Sequence, residues 1–170
     1  MCKNWYKRRK AIGEGFVRLL AILVVAVLLA VPVAHAGIDH GTRAEAVAMV
    51  KGVQVMFHKD GAKATFTAVD DKSNTAFHHL DLYVFIYNLN GVCVAHGAIP
   101  ALIGKNLMDM KDQDGRYFFK EMVAIAKGPG SGWVNYKWPD PLTKKIQDKS
   151  AYIEKLGGNY FVGVGVYIYK

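Results

Sequence analysis

Two kinds of apolar pattern divide this 170-residue chain. From Leu19 to Ala34 the sequence is apolar and free of charge, broken only by Pro32, and it ends in Ala34-His35-Ala36. From Thr42 onward, apolar and polar positions alternate with the periods of helices and strands. Ala46, Met49, Val50, Val53 and Phe57 recur at helical spacing. They follow Thr42-x-x-Glu45, a pair whose side chains can each satisfy the other's exposed backbone N–H. Gly52 weakens that helix by about 1 kcal/mol relative to alanine. Asp60-Gly61 is predicted to break it, with a shorter helical piece over 62–69 and a polar turn over 70–74.

The pattern changes at Leu82. Leu82 to Tyr87 is β-branched or aromatic apart from its leucine, which predicts a strand, and Asn90-Gly91 is a hairpin turn that returns the chain along 92–96. Pro100 and Gly104 mark an irregular connection. Asp114-Gly115 is predicted to open the next helix, with Asp114 as its cap and Phe118, Met122 and Ile125 on its inner face. Gly128-Pro129-Gly130 stops it. Three further strands are predicted over 132–138, 150–156 and 160–169. In the last, Val162, Val164 and Val166 share one side while Gly163 and Gly165 share the other, leaving room for something to approach the sheet. Short turns make these strands antiparallel neighbours. The predicted class is α+β: an antiparallel sheet with a long N-terminal helix and helices packed on one face, the other face being rich in aromatics.

Charge sharpens the boundary. Six of the 22 basic residues and one of the 14 acids precede residue 37, so the net charge of +8 falls to +3 for the remainder. A basic start, an apolar middle of 16 residues and a small-x-small end are the three parts of a signal peptide. The expectation is a signal peptide over 1–36, cleaved after Ala36, and a single periplasmic domain over 37–170. Left uncleaved, the leader would anchor the chain in the membrane, although it is short of the roughly 20 residues of a comfortable span. The residual charge gives no basis for a nucleic-acid partner. Once the leader is removed Cys93 is alone; within Val92-Cys93-Val94-Ala95 it reads as a small buried hydrophobe.

Signatures of catalysis are missing. There is no Gly-x-Gly-x-x-Gly, Walker loop or Gly-x-Ser-x-Gly, and nothing pairs the acids Asp109, Asp112 and Asp114 with a nucleophile, so the chain reads as a binding protein without a cofactor. His78-His79 and His96 lack the spacing of a zinc site. Asp112, Asp114, Gly115 and Glu121 fall at positions 3, 5, 6 and 12 of a calcium loop, but Met110 stands where the first acid is required, so no metal is expected.

Several stretches together resemble a Cache domain: Leu82-Tyr83-Val84-Phe85, Asn90-Gly91, His96-Gly97, Pro100 with Ile103-Gly104-Lys105, and Asp112-Gln113-Asp114-Gly115 before a helix. More specific are Gly132-Trp133-Val134-Asn135-Tyr136-Lys137-Trp138-Pro139, Lys149-Ser150-Ala151-Tyr152 and the closing Gly163-Val164-Gly165-Val166-Tyr167. Together these resemble the single Cache type that carries a long N-terminal helix. The resemblance implies a PAS-like extracytoplasmic sensor for small organic molecules, often short carboxylates. Such domains usually hang from a chemoreceptor or histidine kinase; this chain reads as a free-standing exported form, with a membrane sensor protein as its possible partner. The alternative is a module without a ligand that docks on a membrane sensor kinase or chemoreceptor.

A carboxylate site needs a cation or several donors and walls that exclude water. Lys149 is the candidate cation, Trp133, Tyr136 and Tyr152 candidate walls and hydroxyl donors, Tyr83 and Phe85 the floor, and His96 a further donor. Arg116 and Lys120 read as exposed helix charges. Trp133 and Tyr136 fall on opposite sides of a regular strand. Either a bulge reorients one of them or one belongs to the core.

Overall fold

The computed structural model describes residues 39–169. The expected signal peptide, with its cleavage point, lies outside them. Among the described residues no helix is long and apolar enough to cross a membrane.

Helix α1 spans Arg43–Asp70. It starts where predicted because both halves of the cap form: Glu45 N–H donates to Thr42 Oγ1 at 3.2 Å, and Thr42 N–H donates to Glu45 Oε2 at 2.7 Å. At Gly61 the backbone takes φ 80° and ψ 174°, so the helix kinks there instead of ending. A residue with a Cβ would be strained in that conformation. Thr65 Oγ1 donates to the Gly61 carbonyl at 2.8 Å, and the helix resumes.

Next come β1 (His78–His79), β2 (Leu82–Asn88), β3 (Cys93–His96), a 3₁₀ turn (Pro100–Leu102), α2 (Phe118–Lys127), β4 (Ser131–Pro139), β5 (Ile146–Leu156) and β6 (Tyr160–Ile168). Helix α2 begins later than Asp114-Gly115 suggested. The Asp112 carboxylate takes the amides of Asp114 and Arg116 at 3.0 and 2.9 Å and closes a turn, with Gly115 at φ 80°. Asp114 therefore caps nothing, and Tyr117 stands at the N-cap without a side-chain bond.

All pairings are antiparallel, in the order β1-β2-β6-β5-β4, with β3 also on β2. This is the expected PAS-like α+β fold. Alternation sorts each strand between two cores. On one face Ala46, Met49, Val50, Val53 and Val69 of α1 cover Val84, Ile86, Val162 and Val164. On the other Phe118, Phe119, Met122 and Val123 of α2 cover Tyr83, Phe85, Tyr87, Tyr136 and Phe161. The helices thus lie on both faces of the sheet, where the sequence suggested one. The reason is energetic: each large apolar side chain contributes about 1.5–3 kcal/mol on burial, so a face built of aromatics gains by being roofed.

Candidate functional site

Lys149 lies on the aromatic face because β5 sends Lys149, Ala151 and Ile153 the same way. Its Cα pairs with Tyr136 on one side and Tyr167 on the other. The residue is 1% exposed. Nζ donates to Tyr167 Oη at 3.1 Å and sits 3.9 Å from the Tyr83 ring centre and 4.3 Å from that of Tyr167. Among the described residues that is its one hydrogen bond, and no carboxylate lies within ion-pair distance. Two of its three N–H donors are left to the aromatic faces. Burial pushes the ammonium well below the ordinary lysine range, against the opposing pull of Asp81 and Asp140.

The two glycines of β6 make this burial possible. A Cβ on Gly165 would lie 2.2 Å from Lys149 Cε, and one on Gly163 would lie 2.4 Å from the Phe85 ring. The space they leave is filled by these side chains. Gly165→Ala is therefore expected to cost about 1–3 kcal/mol by overpacking. Urea denaturation checks this, and an unchanged midpoint would mean that the lysine stem has slack.

Beyond the Tyr83 ring, on which the ammonium rests, the face closes over a hollow of about 10 Å³, lined by Tyr83, Phe85, Tyr87, His96, Phe118, Phe119, Met122, Tyr136 and Trp138 but not by Lys149 itself. That volume holds about one water. An acid of two to four carbons fits only if the rings part. Tyr136 and Lys149 also border an outer hollow of about 350 Å³ together with Asp112, Arg116 and Lys137.

His96 is held in one orientation. Its Nδ1 accepts from Ala98 N–H at 3.2 Å and Ile99 N–H at 3.0 Å, and its own amide donates to Asp70 Oδ1 at 2.9 Å. An accepting Nδ1 puts the neutral ring's proton on Nε2. Burial first, then the Lys149 charge, pushes the imidazole down to about 3. A depressed folded value means that the neutral ring stabilises the fold above pH 6.5 and that this is lost as pH falls from 6.5 toward 3. His96→Gln is expected to flatten the slope of unfolding free energy in that window, where one histidine contributes at most about 1.4 kcal/mol per pH unit. Urea titrations at several pH values measure the slope; an unaltered slope would contradict the assignment.

Of the residues singled out from sequence, Tyr83, Phe85, His96, Tyr136 and Lys149 come together on this face. Trp133 and Tyr152 do not. They pack on the opposite face, 5.3 Å apart, with the Arg43 guanidinium 3.6 Å above the Trp133 ring. The register of β4 with β5 runs unbroken from Ser131↔Glu154 to Pro139↔Ile146, so no bulge turns them inward. Three positions separate Trp133 from Tyr136 and Lys149 from Tyr152, which puts the members of each pair on opposite sides. Tyr87, Phe118, Phe119, Met122, Trp138 and Tyr167 complete the site. Alternation with Gly165 points to Tyr167, and alternation with Tyr136 points to Trp138. Phe118 and Met122 carry a helical signal that does not say which face α2 covers.

The acidic loop has a structural role. Besides its two amides, Asp112 accepts Lys137 N–H at 3.2 Å, tying the loop to β4. Arg116 pairs with Glu121 and donates to the Asn135 carbonyl at 2.6 Å. Among the described residues no group of three His, Cys, Asp or Glu side chains is placed to hold a metal. Cys93 is buried, and burial pushes its thiol up to about 11.

Comparison with known proteins agrees with this fold. A model of the Cache domain matches residues 62–170. Methyl-accepting chemotaxis protein McpP of Pseudomonas putida and sensor histidine kinase MctS of Rhizobium johnstonii are each 36% identical over 89 residues, 52% of this chain. The aligned stretch is only 16% and 19% of those relatives' own lengths. A solved structure described as the basis for carboxylic acid recognition by a Cache chemosensory domain superposes with a TM-score of 0.59 at 26% identity, covering 72% of this chain and 85% of that one. The chain belongs to the Cache domain family and is a sensory domain of the kind found in chemoreceptors and sensor kinases.

Proposed function

We propose that this chain is an extracytoplasmic sensor that binds a short organic carboxylate without transforming it, and that Lys149 is the cationic partner. Tyr83, Phe85, Tyr136 and His96 form the surrounding shell, with Tyr87, Phe118, Trp138 and Tyr167. One observation carries the reading: a fully buried ammonium with a single hydrogen bond, set against the rings of Tyr83 and Tyr167. Such a charge is costly unless an anion and further acceptors meet it. A carboxylate supplies both, and apolar walls exclude the water that would compete. The carboxylic acid recognised by the structurally similar Cache domain supports the ligand class. Two features favour export: the signal-peptide pattern of the sequence over 1–36 and the receptor relatives. A membrane sensor protein is the proposed partner through which occupancy is read.

A thermal-shift screen of acids of two to four carbons tests this. At 100 times the dissociation constant a binder adds about 2.7 kcal/mol of stability, and Lys149→Ala should abolish the response. If no acid moves the melting point, the reading is wrong. The small inner hollow favours a second reading, a module without a ligand that docks on a membrane sensor kinase or chemoreceptor. It predicts a flat acid screen together with retention of a membrane sensor when the protein is used as bait on native envelopes.

A further inference from the structure

Lys149 must stay charged to hold an anion, yet its surroundings favour losing the proton. From β6 it meets Tyr167, from β2 Tyr83, from β4 Tyr136, and from β3 the field of His96, all uncharged groups. What opposes deprotonation is a pair of buried carboxylates set further back. Asp81 precedes β2 and is 0% exposed; Asp140 follows β4 and is 1% exposed. Tyr169 Oη lies 3.1 Å from Oδ2 of each. A phenol has one proton, so one hydroxyl serves two anions.

This cluster adjoins the hydrogen-bond chain that starts at the ammonium and holds both described ends of the chain. Tyr167 Oη, which accepts from Lys149, donates to the carbonyl of Pro139 at 2.6 Å, one residue before Asp140. Asp140 is kept ionised, despite its burial, by Thr143 Oγ1, Leu142 N–H and the Tyr169 hydroxyl. Asp81 Oδ1 accepts Gly41 N–H at 2.7 Å, ahead of α1. His40 stacks on Tyr169 at 3.6 Å, and its buried Nδ1, 3.3 Å from Asp81 Oδ2, makes no hydrogen bond.

We infer that Asp81 and Asp140, clasped on the hydroxyl of Tyr169, are the resident counter-charge of Lys149 within the aromatic core and tie that charge to the point where the two described ends of the chain meet. The inference rests on the anion-site reading for what the charge is used for. Both acids are positioning residues acting through the field at Lys149, and Asp140 also adjoins the Tyr167–Pro139 link. A ligand carboxylate adds a third negative charge to the group, so its arrival changes the hold on Gly41 and His40 as well as on the lysine.

The test follows the Lys149 Cε signal by NMR in the full chain with ¹³C-labelled lysine, assigned by its loss in Lys149→Met. Asp140→Asn is expected to lower the Lys149 titration midpoint by about one pH unit or more. Asp140→Glu is expected to restore much of it, which a purely structural role for Asp140 would not require. Tyr169→Phe, which leaves both acids in place but strips their shared donor, is a second variant in case the first folds poorly, and it should also move the midpoint. An unmoved midpoint in a folded variant overturns the assignment. Acetate added to the same samples separates the two readings. If acetate perturbs the wild-type signal and its affinity falls about tenfold per unit of midpoint shift at pH values above the midpoint, both stand. If the midpoint moves but acetate leaves every sample unchanged, the counter-charge assignment stands and the anion-site reading falls.

Discussion

Replacing Lys149 by methionine is expected to stabilise the free domain and at the same time remove its response to acids. The ammonium is buried with one hydrogen bond and no carboxylate in contact, so the fold carries a desolvation cost that nothing nearby fully offsets. An ion buried with no anion in contact carries a desolvation penalty of several kcal/mol that an apolar side chain of similar shape does not, and Asp81 and Asp140 keep their own hydrogen-bond donors without it. Methionine is unbranched and can follow the same path past Gly165. Truncating one member of a buried, hydrogen-bonded charge pair costs about 2–5 kcal/mol of binding, so affinity for the acid should fall at least about 30-fold. Urea denaturation and acid titration of the same two proteins measure both effects. A destabilised variant that still responds to acid would contradict the account on both counts.

Phe118→Ala is expected to be the most damaging single truncation in the site. Its ring stacks on Tyr136 at 4.4 Å and 3°, touches Phe119 at 4.6 Å and meets Trp138 edge-on at 5.6 Å. Removing it costs the transfer energy of the ring plus a cavity term, about 3–5 kcal/mol. That is a large fraction of the roughly 5–15 kcal/mol that holds a domain of this size together. Phe118 lines the hollow of about 10 Å³, so the same change enlarges it and preference should move toward longer acids. Urea denaturation gives the first number and a chain-length series of acids gives the second. A variant with wild-type stability would show that α2 is not the roof of the site.

Much of this was legible in the sequence. Thr42 and Glu45 announced the start of α1, Asn90-Gly91 the hairpin, and the valines of β6 the face that α1 covers, because local chemistry decides each of them. Lys149, Tyr136 and Tyr83 could be singled out because the stretches that hold them resemble those of Cache domains. The placement of Trp133 and Tyr152 was harder. Their residue types matched a ligand wall, but strand parity sends them to the α1 face, where Arg43 gives the indole its own partner. The roof of the site was not legible. Helix α2 has an apolar stripe whichever face it covers, and the capture of two amides by Asp112 delays its start. The clasp on Tyr169 joins residues more than a hundred positions apart in sequence, from His40 to Tyr169. No local pattern encodes it.

The most direct test is a crystal structure of the protein grown with acetate. The account predicts a carboxylate on Lys149 Nζ, with Phe118 and Tyr136 moved apart and His96 Nε2 within hydrogen-bond distance of the bound oxygen. Acetate bound elsewhere, with Lys149 still held by Tyr167 alone and the inner hollow unchanged, would contradict it.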